Sequence, residues 1–271
     1  MGTSASKGDA APGSPLIPPW ANEDPVVPPG VDDDESDGQD EPAPVAPSPI
    51  APASPFNGFR RSLRRYVETG DRDHARAALG YWASTSRGGA RTGTQRLSRA
   101  IRGGGNALAA LSGVAAGAPP AAGQLDIRGL AGLTSEVAIA RIVDAFCPPG
   151  ILDEDALRAA LGEALAEAVG GPDTFDPAAV DTNAVRVAML RFVAELVFIS
   201  VMTDSGEALS AAPPGVAVQR ENDLRGLIRE VADVVGTPLL DAAGATLSSA
   251  DIRGLVARLV LDVQREMASW E

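Results

Sequence analysis

Apolar residues recur at the three- and four-residue spacing of an α-helix through most of the chain after residue 55. The first such stretch has one apolar face, which consists of Phe56, Phe59, Leu63 and Tyr66 or Val67. Gly70 is typical of a helix end and Asp71 of a helix start, so two helices joined as a hairpin are predicted. Because no run of alternating polar and apolar residues interrupts the later segments, we expect an all-α body of about six to eight helices.

The composition limits how these helices can pack. Hydrophobic residues make up 45% of the chain but aromatic residues only 4%, so we expect a core built mainly from Ala, Leu and Val. The most apolar stretch, residues 184–202, is interrupted by Arg186, Arg191 and Glu195. Because a membrane span needs about 20 apolar residues with few charges, this stretch is predicted to be a buried core helix, and no membrane is expected as a partner. The helix that begins in RENDLRGL is expected to end at Gly236.

The chain contains one cysteine, Cys147, and one histidine, His74. A single cysteine excludes an internal disulfide framework and fits a reducing, cytoplasmic location. We expect Cys147 to be a small buried hydrophobe at a helix end. The two residues cannot supply a structural zinc site, and a hydrolase needs a base beside its nucleophile. We therefore expect no metal, no cofactor and no enzyme activity.

Charge and proline content divide the chain into three segments, residues 1–55, 56–102 and 103–271. The first holds 13 of the 22 prolines and ten acidic residues against one lysine, which predicts a disordered tail because it can bury little apolar surface. The second contains eleven arginines and only three acidic residues, and the third carries a net charge of −12. They are predicted to be an Arg-rich helical hairpin with a Gly-rich loop, and an acidic helical bundle.

The predicted Gly-rich loop contains STSRGGARTGTQRLSRAIRGGGN. A phosphate-binding loop of the P-loop type needs a lysine after its last glycine, and this segment has no lysine, so a connection between helices is the expected role. The arginine face of the hairpin is open to three interpretations: a solvated face, a surface that meets an acidic surface such as the tail or a partner, or one that meets nucleic acid. The net charge of −13 argues against nucleic-acid binding by the molecule as a whole.

Four motifs, MGTSASKG, PLIPPW, FRRSLRRYVETGDRDHARAALGYW and RGGARTGTQRL, follow in an order and at a spacing that resemble the QatB family of bacterial Qat anti-phage systems. The resemblance implies a set of partners. These are an ATPase (QatA-like), an enzyme similar to the queuosine-pathway enzyme that builds 7-cyano-7-deazaguanine (QatC-like), and a protein similar to TatD nucleases. The resemblance also implies that this chain is a non-enzymatic subunit of a defence complex and that the enzyme activities of the complex lie in the chain's partners.

The resemblance also implies a role for the N-terminal tail. A queuosine-like enzyme activates a carboxylate with ATP and delivers it to an amine, and Gly2 presents an α-amine once Met1 is removed. An α-amine has an ordinary pKa of about 7.7–8.0, so at pH 7 it is a more available nucleophile than Lys7, for which the ordinary pKa is about 10.4. Gly2 is therefore the predicted modification site. Contacts with the partner enzyme are expected at Thr3, Ser4, Leu16, Ile17 and Trp20.

Alternatives stay open for both the tail and the hairpin. MGTSAS also fits the myristoylation pattern, although the bacterial resemblance argues against that modification, and a small residue at position 2 can serve only to permit Met1 removal. The alternative function is an adaptor that binds nucleic acid or the ATPase through the hairpin. Its predicted contacts are Arg60, Arg61, Arg64 and Arg65.

Overall fold

Nine α-helices make up most of the computed structural model, which describes residues 55–147, 149–150, 154–169, 173–210, 212–244 and 249–271. They are α1 (Asn57–Thr69), α2 (Arg72–Tyr81), α3 (Ala90–Arg96), α4 (Ser98–Ala115), α5 (Ser135–Phe146), α6 (Glu154–Val169), α7 (Thr182–Ser205), α8 (Pro214–Ala243) and α9 (Ser249–Ala268). A π-helical turn, Trp82–Ser86, follows α2. These described ranges contain no β-strand, only an isolated antiparallel bridge between Thr134 and Thr174. The all-α prediction is confirmed, with one helix more than the expected range.

The helices α1 and α2 pack against each other as the hairpin that the sequence predicts. Gly70 follows α1 in the left-handed region, at φ 73°, where glycine avoids the steric penalty of other residues. Its backbone N–H donates a hydrogen bond of 2.7 Å to the carbonyl oxygen of Tyr66. The Asp71 side chain caps α2 by accepting a hydrogen bond of 2.8 Å from the backbone N–H of Asp73. Both predicted helix signals are confirmed.

Much of the segment predicted as a Gly-rich loop is helical. After the π-helical turn, α3 and α4 cover residues 90–115 with Leu97 as the only break. The glycines at residues 103–105 lie inside α4, and a Cβ atom at Gly104 would come within 2.0 Å of Phe192 Cζ. The glycine run therefore permits close packing between helices. The expectation of a connecting loop is corrected for this part of the segment.

The helix α7 lies at the centre of the fold and packs against α4, α6, α8 and α9. Fourteen of its residues are buried, which confirms the buried core helix expected for residues 184–202. Glu195 is buried within it, accepts a hydrogen bond of 2.8 Å from Arg229 and lies 3.3 Å from Arg225, both on α8. These two arginines compensate the cost of placing a carboxylate in the core.

The helix α8 continues past Gly236 to Ala243, although the sequence predicts its end at that glycine. A Cβ atom at residue 236 would lie 2.3 Å from Leu190 Cδ2 and 3.0 Å from Leu259 Cδ2. The glycine therefore serves the contact of α8 with α7 and α9, and Pro238 is accommodated within the helix two residues later. The predicted helix end is wrong because a packing glycine has the same sequence signature as a C-terminal cap.

The arginine-rich and acidic segments belong to one packed unit in the part of the chain that is described. The helix α1 contacts α7 and α8, and α3 contacts α9. Cys147 at the end of α5 is fully buried, as the sequence predicts. None of the helices in the described ranges is both long enough and apolar enough to cross a membrane.

Candidate functional site

The predicted site residues fall into two groups. Gly2 and the predicted tail contacts lie outside the described residues, so their roles stay predictions; the contacts are Thr3, Ser4, Leu16, Ile17 and Trp20. The structure describes the four predicted arginines of the hairpin, all on α1. It places Arg61, Arg64 and Arg65 on an exposed face and directs Arg60 towards the core.

Arg60 is half-buried between α1 and the end of α7. Its Nε donates a hydrogen bond of 3.1 Å to the carbonyl oxygen of Asp204, and its guanidinium carbon lies 5.4 Å from the centroid of the Phe56 ring. These contacts hold α1 against the end of α7 and occupy the Nε–H of the guanidinium group. Arg60 therefore has a structural role that distinguishes it from the three exposed arginines.

Arg61, Arg64 and Arg65 form the α1 arginine surface. Residues three and four apart on a helix share a face, and all three side chains are exposed. None of the three pairs with a carboxylate anywhere in the described ranges, even though Glu68 is exposed on the same helix. The buried side chains Phe59 and Leu63 on the opposite face fix the rotation of α1, so the three guanidinium groups face solvent.

This lack of partners is unusual in the molecule. Of the eleven arginines after residue 102, all but Arg141 contact a carboxylate, a backbone carbonyl or a side-chain amide oxygen of the described residues. Among the eleven arginines in residues 56–102, eight have no such contact within the same ranges: Arg61, Arg64, Arg65, Arg76, Arg91, Arg96, Arg99 and Arg102. Uncompensated positive charge is therefore concentrated in the first part of the described body.

A polar cluster around Asp204 connects the π-helical turn to the end of α7. Asp204 Oδ2 accepts hydrogen bonds of 2.8 Å from Trp82 Nε1 and 2.6 Å from Arg87 Nε. The Arg87 guanidinium also lies 5.3 Å from the centroid of the Trp82 ring. Sequence reasoning misses this cluster because more than one hundred residues separate Asp204 from its two partners, and no local pattern connects them.

Cys147 and His74 do not form a catalytic pair in the structure. Burial raises the pKa of Cys147 to about 11, which disfavours the reactive thiolate. His74 Nδ1 lies 3.1 Å from the Thr69 hydroxyl, which donates to the Arg65 carbonyl over 2.8 Å as part of the hairpin turn. In the part of the chain that is described, no group of three or more His, Cys, Asp or Glu side chains is placed to hold a metal ion.

A pocket of about 330 Å³ lies between the hairpin and α8 and is lined in part by Tyr66, Asp223 and Leu227. The Tyr66 hydroxyl lies 3.2 Å from the Arg220 carbonyl oxygen and 3.4 Å from an Asp223 carboxylate oxygen. Burial, reinforced by the Asp223 charge, raises the pKa of Tyr66 to about 12. The phenol therefore stays protonated and connects α1 to α8 by donating a hydrogen bond.

A comparison with protein-family models supplies the identity of the chain. The model described as Qat anti-phage system associated protein QatB matches residues 88–264, which is more than half of the 271 residues. The chain belongs to the QatB family. The QatB match makes the protein a component of Qat anti-phage defence, and other Qat components are its expected partners. Comparisons with curated proteins and with solved structures found no match.

The QatB match begins after the π-helical turn and extends from α3 into α9. The tail motifs and the whole hairpin motif, on which the predicted resemblance rests, lie before residue 88. Of the four motifs, only RGGARTGTQRL falls almost entirely within the matched residues. Membership of the QatB family is thus confirmed mainly by helices in which sequence reasoning found no distinctive motif.

Proposed function

We propose that this QatB-family protein is a non-enzymatic subunit that binds an acidic face of the Qat ATPase through the α1 arginine surface. The single observation that carries the proposal is the exposure of Arg61, Arg64 and Arg65 without a carboxylate partner in the described ranges. The chain as a whole carries a net charge of −13, so this positive surface is opposite in sign to the molecule's net charge. The proposal places the complex in the bacterial cytoplasm.

The physical basis of the proposal is electrostatic complementarity. The helix fixes the backbone of the three arginines before a partner arrives, so binding has to order only their side chains. Guanidinium groups pair with carboxylates in bidentate geometry, and complementary charges raise the association rate and suppress incorrect partners. Binding through this surface is therefore expected to weaken as the salt concentration rises.

Co-purification from cells that express the complete Qat system tests this proposal. The triple variant Arg61→Ala, Arg64→Ala and Arg65→Ala is expected to lose the ATPase, whereas the tagged wild type retains it. The matched control, Arg72→Ala, Arg141→Ala and Arg258→Ala, removes the same charge from exposed sites on three other helices and should retain the ATPase. Equal ATPase recovery with all three proteins would reject the proposal.

Nucleic acid is the competing partner for the α1 arginine surface. Binding to phosphates would release counterions and would depend steeply on salt concentration. A gel-shift titration with a DNA duplex distinguishes the two classes of partner. Tight wild-type binding that the α1 triple variant alone abolishes would favour a nucleic-acid adaptor over the ATPase-binding subunit.

A second candidate function concerns the tail, and family membership together with the sequence MGTSASKG supports it. In this proposal the QatC-like enzyme transfers its ATP-activated carboxylate to the α-amine of Gly2. The amine nitrogen attacks the activated carbonyl carbon, an amide bond forms, the ATP-derived group leaves, and the amine loses a proton. The tail contacts Thr3, Ser4, Leu16, Ile17 and Trp20 would hold the terminus in the enzyme.

Intact mass spectrometry of protein from cells with the full Qat system tests the tail proposal. A discrete adduct is expected on the N-terminal peptide, and catalytic inactivation of the QatC-like enzyme should remove it. Lys7→Arg is the matched control, because it keeps the charge and removes only the competing amine. An unmodified Gly2 in cells that are protected from phage would reject the modification, and this result is independent of ATPase binding.

A further inference from the structure

The helices α3 and α4 present a second arginine-rich face, well separated in the chain from α1. Their backbone is almost continuous, because the Leu97 N–H donates to the Gly93 carbonyl over 3.3 Å and the Ile101 N–H donates to the Leu97 carbonyl over 2.9 Å. At about 100° of rotation per residue, Arg91, Arg99 and Arg102 fall on one face of this helical pair. We call these three residues the α4 arginine stripe.

The opposite face of the helical pair fixes the direction of the stripe. Gly93, Leu97, Ala100 and Ile101 are buried against neighbouring helices. Because these positions cannot turn outward without exposing the core, the three arginines of the stripe are held towards solvent, and all three are exposed. None of them contacts a carboxylate within the described ranges. The stripe is therefore a preformed row of unpaired guanidinium groups.

The stripe leads towards a pocket at the far end of α4. Asn106 continues the same helix face, and its Oδ1 accepts a hydrogen bond of 3.3 Å from Arg253 on α9. Both residues line a pocket of about 260 Å³. Its lining is mixed. The polar part consists of Asn106, Gln124, Asp126, Arg128 and Arg253, and the apolar part mainly of Ala109, Ala110, Val114, Pro119, Pro120, Leu125 and Ile127. From Arg91 to Asn106 the helical rise corresponds to about 22 Å, so the stripe and the pocket form one elongated surface.

We infer that the α4 arginine stripe binds an acidic polypeptide segment of another protein, with an apolar side chain of that segment in the adjoining pocket. Charge complementarity favours carboxylates along the stripe, since arginine pairs with carboxylates in bidentate geometry. The apolar part of the pocket supplies a place for a buried side chain, and such anchors contribute most of the affinity of many interfaces. This surface is separate from the α1 arginine surface, and binding to it does not depend on the ATPase.

A nucleic-acid strand fits this surface less well. Proteins that bind single strands stack the bases on aromatic side chains, but residues 91–106 contain no aromatic residue. In the pocket, Val114, Pro119 and Leu125 offer contact area to an apolar side chain, which a phosphate group lacks.

Fluorescence anisotropy with a labelled 16-residue peptide tests the inference on the full-length protein. The peptide alternates glutamate with alanine and ends in leucine, and a second peptide replaces the leucine with serine. The triple variant Arg91→Ala, Arg99→Ala and Arg102→Ala is expected to bind the leucine peptide roughly tenfold more weakly than the wild type, because three ion pairs are lost. The serine peptide should bind the wild type more weakly than the leucine peptide.

Three outcomes would overturn the inference. The first is no detectable binding of the leucine peptide at low salt, and the second is equal binding by the wild type and the stripe variant. The third is tighter binding of a labelled dT oligomer of equal length that requires the same three arginines, which would indicate a nucleic-acid site. The α1 triple variant should bind the peptide as the wild type does. A negative result in this assay therefore does not affect the ATPase proposal, which the co-purification experiment tests separately.

Discussion

Gly104 of α4 lies against the ring of Phe192 of α7, so closely that a Cβ atom on residue 104 would sit 2.0 Å from Phe192 Cζ. The flanking Gly103 also lies close to a side chain of another helix. A Cβ atom on Gly103 would lie 2.5 Å from Leu157 Cδ2 of α6. The glycine run therefore lets α4 approach α6 and α7 together, and the central contact is with a phenylalanine that is fully buried.

We expect Gly104→Ala to lower the free energy of unfolding by about 1–3 kcal/mol, because the added methyl group displaces the Phe192 ring in a packed core. Urea denaturation followed by circular dichroism measures the change. Gly226→Ala in α8 is the matched control, since a Cβ atom at residue 226 would meet open space. This control should stabilise the protein by about 0.5–1 kcal/mol, because alanine favours a helix more than glycine does. Equal effects at the two sites would contradict the packing role.

Asp204→Ala should destabilise the protein by about 3 kcal/mol, because it leaves Arg87 as an unpaired charge and Trp82 Nε1 as an unpaired donor in a poorly solvated site. The side chains of Arg87 and Asp204 are only 12% and 15% exposed. Glu230→Ala removes the carboxylate of an exposed pair with Arg72 and should cost no more than about 1 kcal/mol. If the two variants have the same urea midpoint, the Asp204 cluster contributes little to the stability of the fold.

Cys147 should be inert to thiol reagents in the folded protein. Its side chain is fully buried, so the reagent cannot reach the sulfur. Burial also raises the pKa of the thiol to about 11, so little of the reactive thiolate is present at pH 8. Absorbance after addition of Ellman's reagent should show no reaction in buffer and one thiol per chain in concentrated denaturant. Rapid reaction in buffer would mean that the end of α5 opens readily.

Tyr66 should titrate with a midpoint of about 12 in the folded protein, because burial raises its pKa above the ordinary value. Because the Tyr66 pKa is higher in the folded protein than in the unfolded chain, the protonated phenol stabilises the fold at pH values below the unfolded pKa of about 10. This stabilisation is lost as the pH rises from about 10 through 12. Tyrosinate absorbance in a Tyr81→Phe background isolates the Tyr66 signal, since the chain has two tyrosines. A midpoint near 10 with the fold intact would indicate an exposed phenol.

Local signals in the sequence predict several features of the fold correctly. Gly70 and Asp71 identify the hairpin because helix ends are determined by nearby residues. Residues 184–202 identify the core helix because the apolar run exceeds what a surface helix needs. Gly104 and Gly236 mislead because glycine marks both flexible turns and close helix contacts, and only the partner helix distinguishes the two uses.

The candidate site is predictable only in part. Arginine spacing on α1 identifies Arg61, Arg64 and Arg65 as one face, but Arg60 follows the same pattern and is distinguished only by its contact with Asp204. The α4 arginine stripe is hidden in the sequence because the surrounding glycines and serines are typical of a loop. Both results depend on which distant helix covers which face, and local sequence patterns do not show that.

The affinity of the purified protein for the purified Qat ATPase, measured at several salt concentrations, tests the central claim most directly. We predict that the wild type binds with an affinity that falls as salt rises. The variant Arg61→Ala, Arg64→Ala and Arg65→Ala should bind at least tenfold more weakly at low salt and with a flatter salt dependence, because three charge pairs are removed. The same affinity and the same salt dependence for both proteins would contradict an ATPase-binding role for the α1 arginine surface.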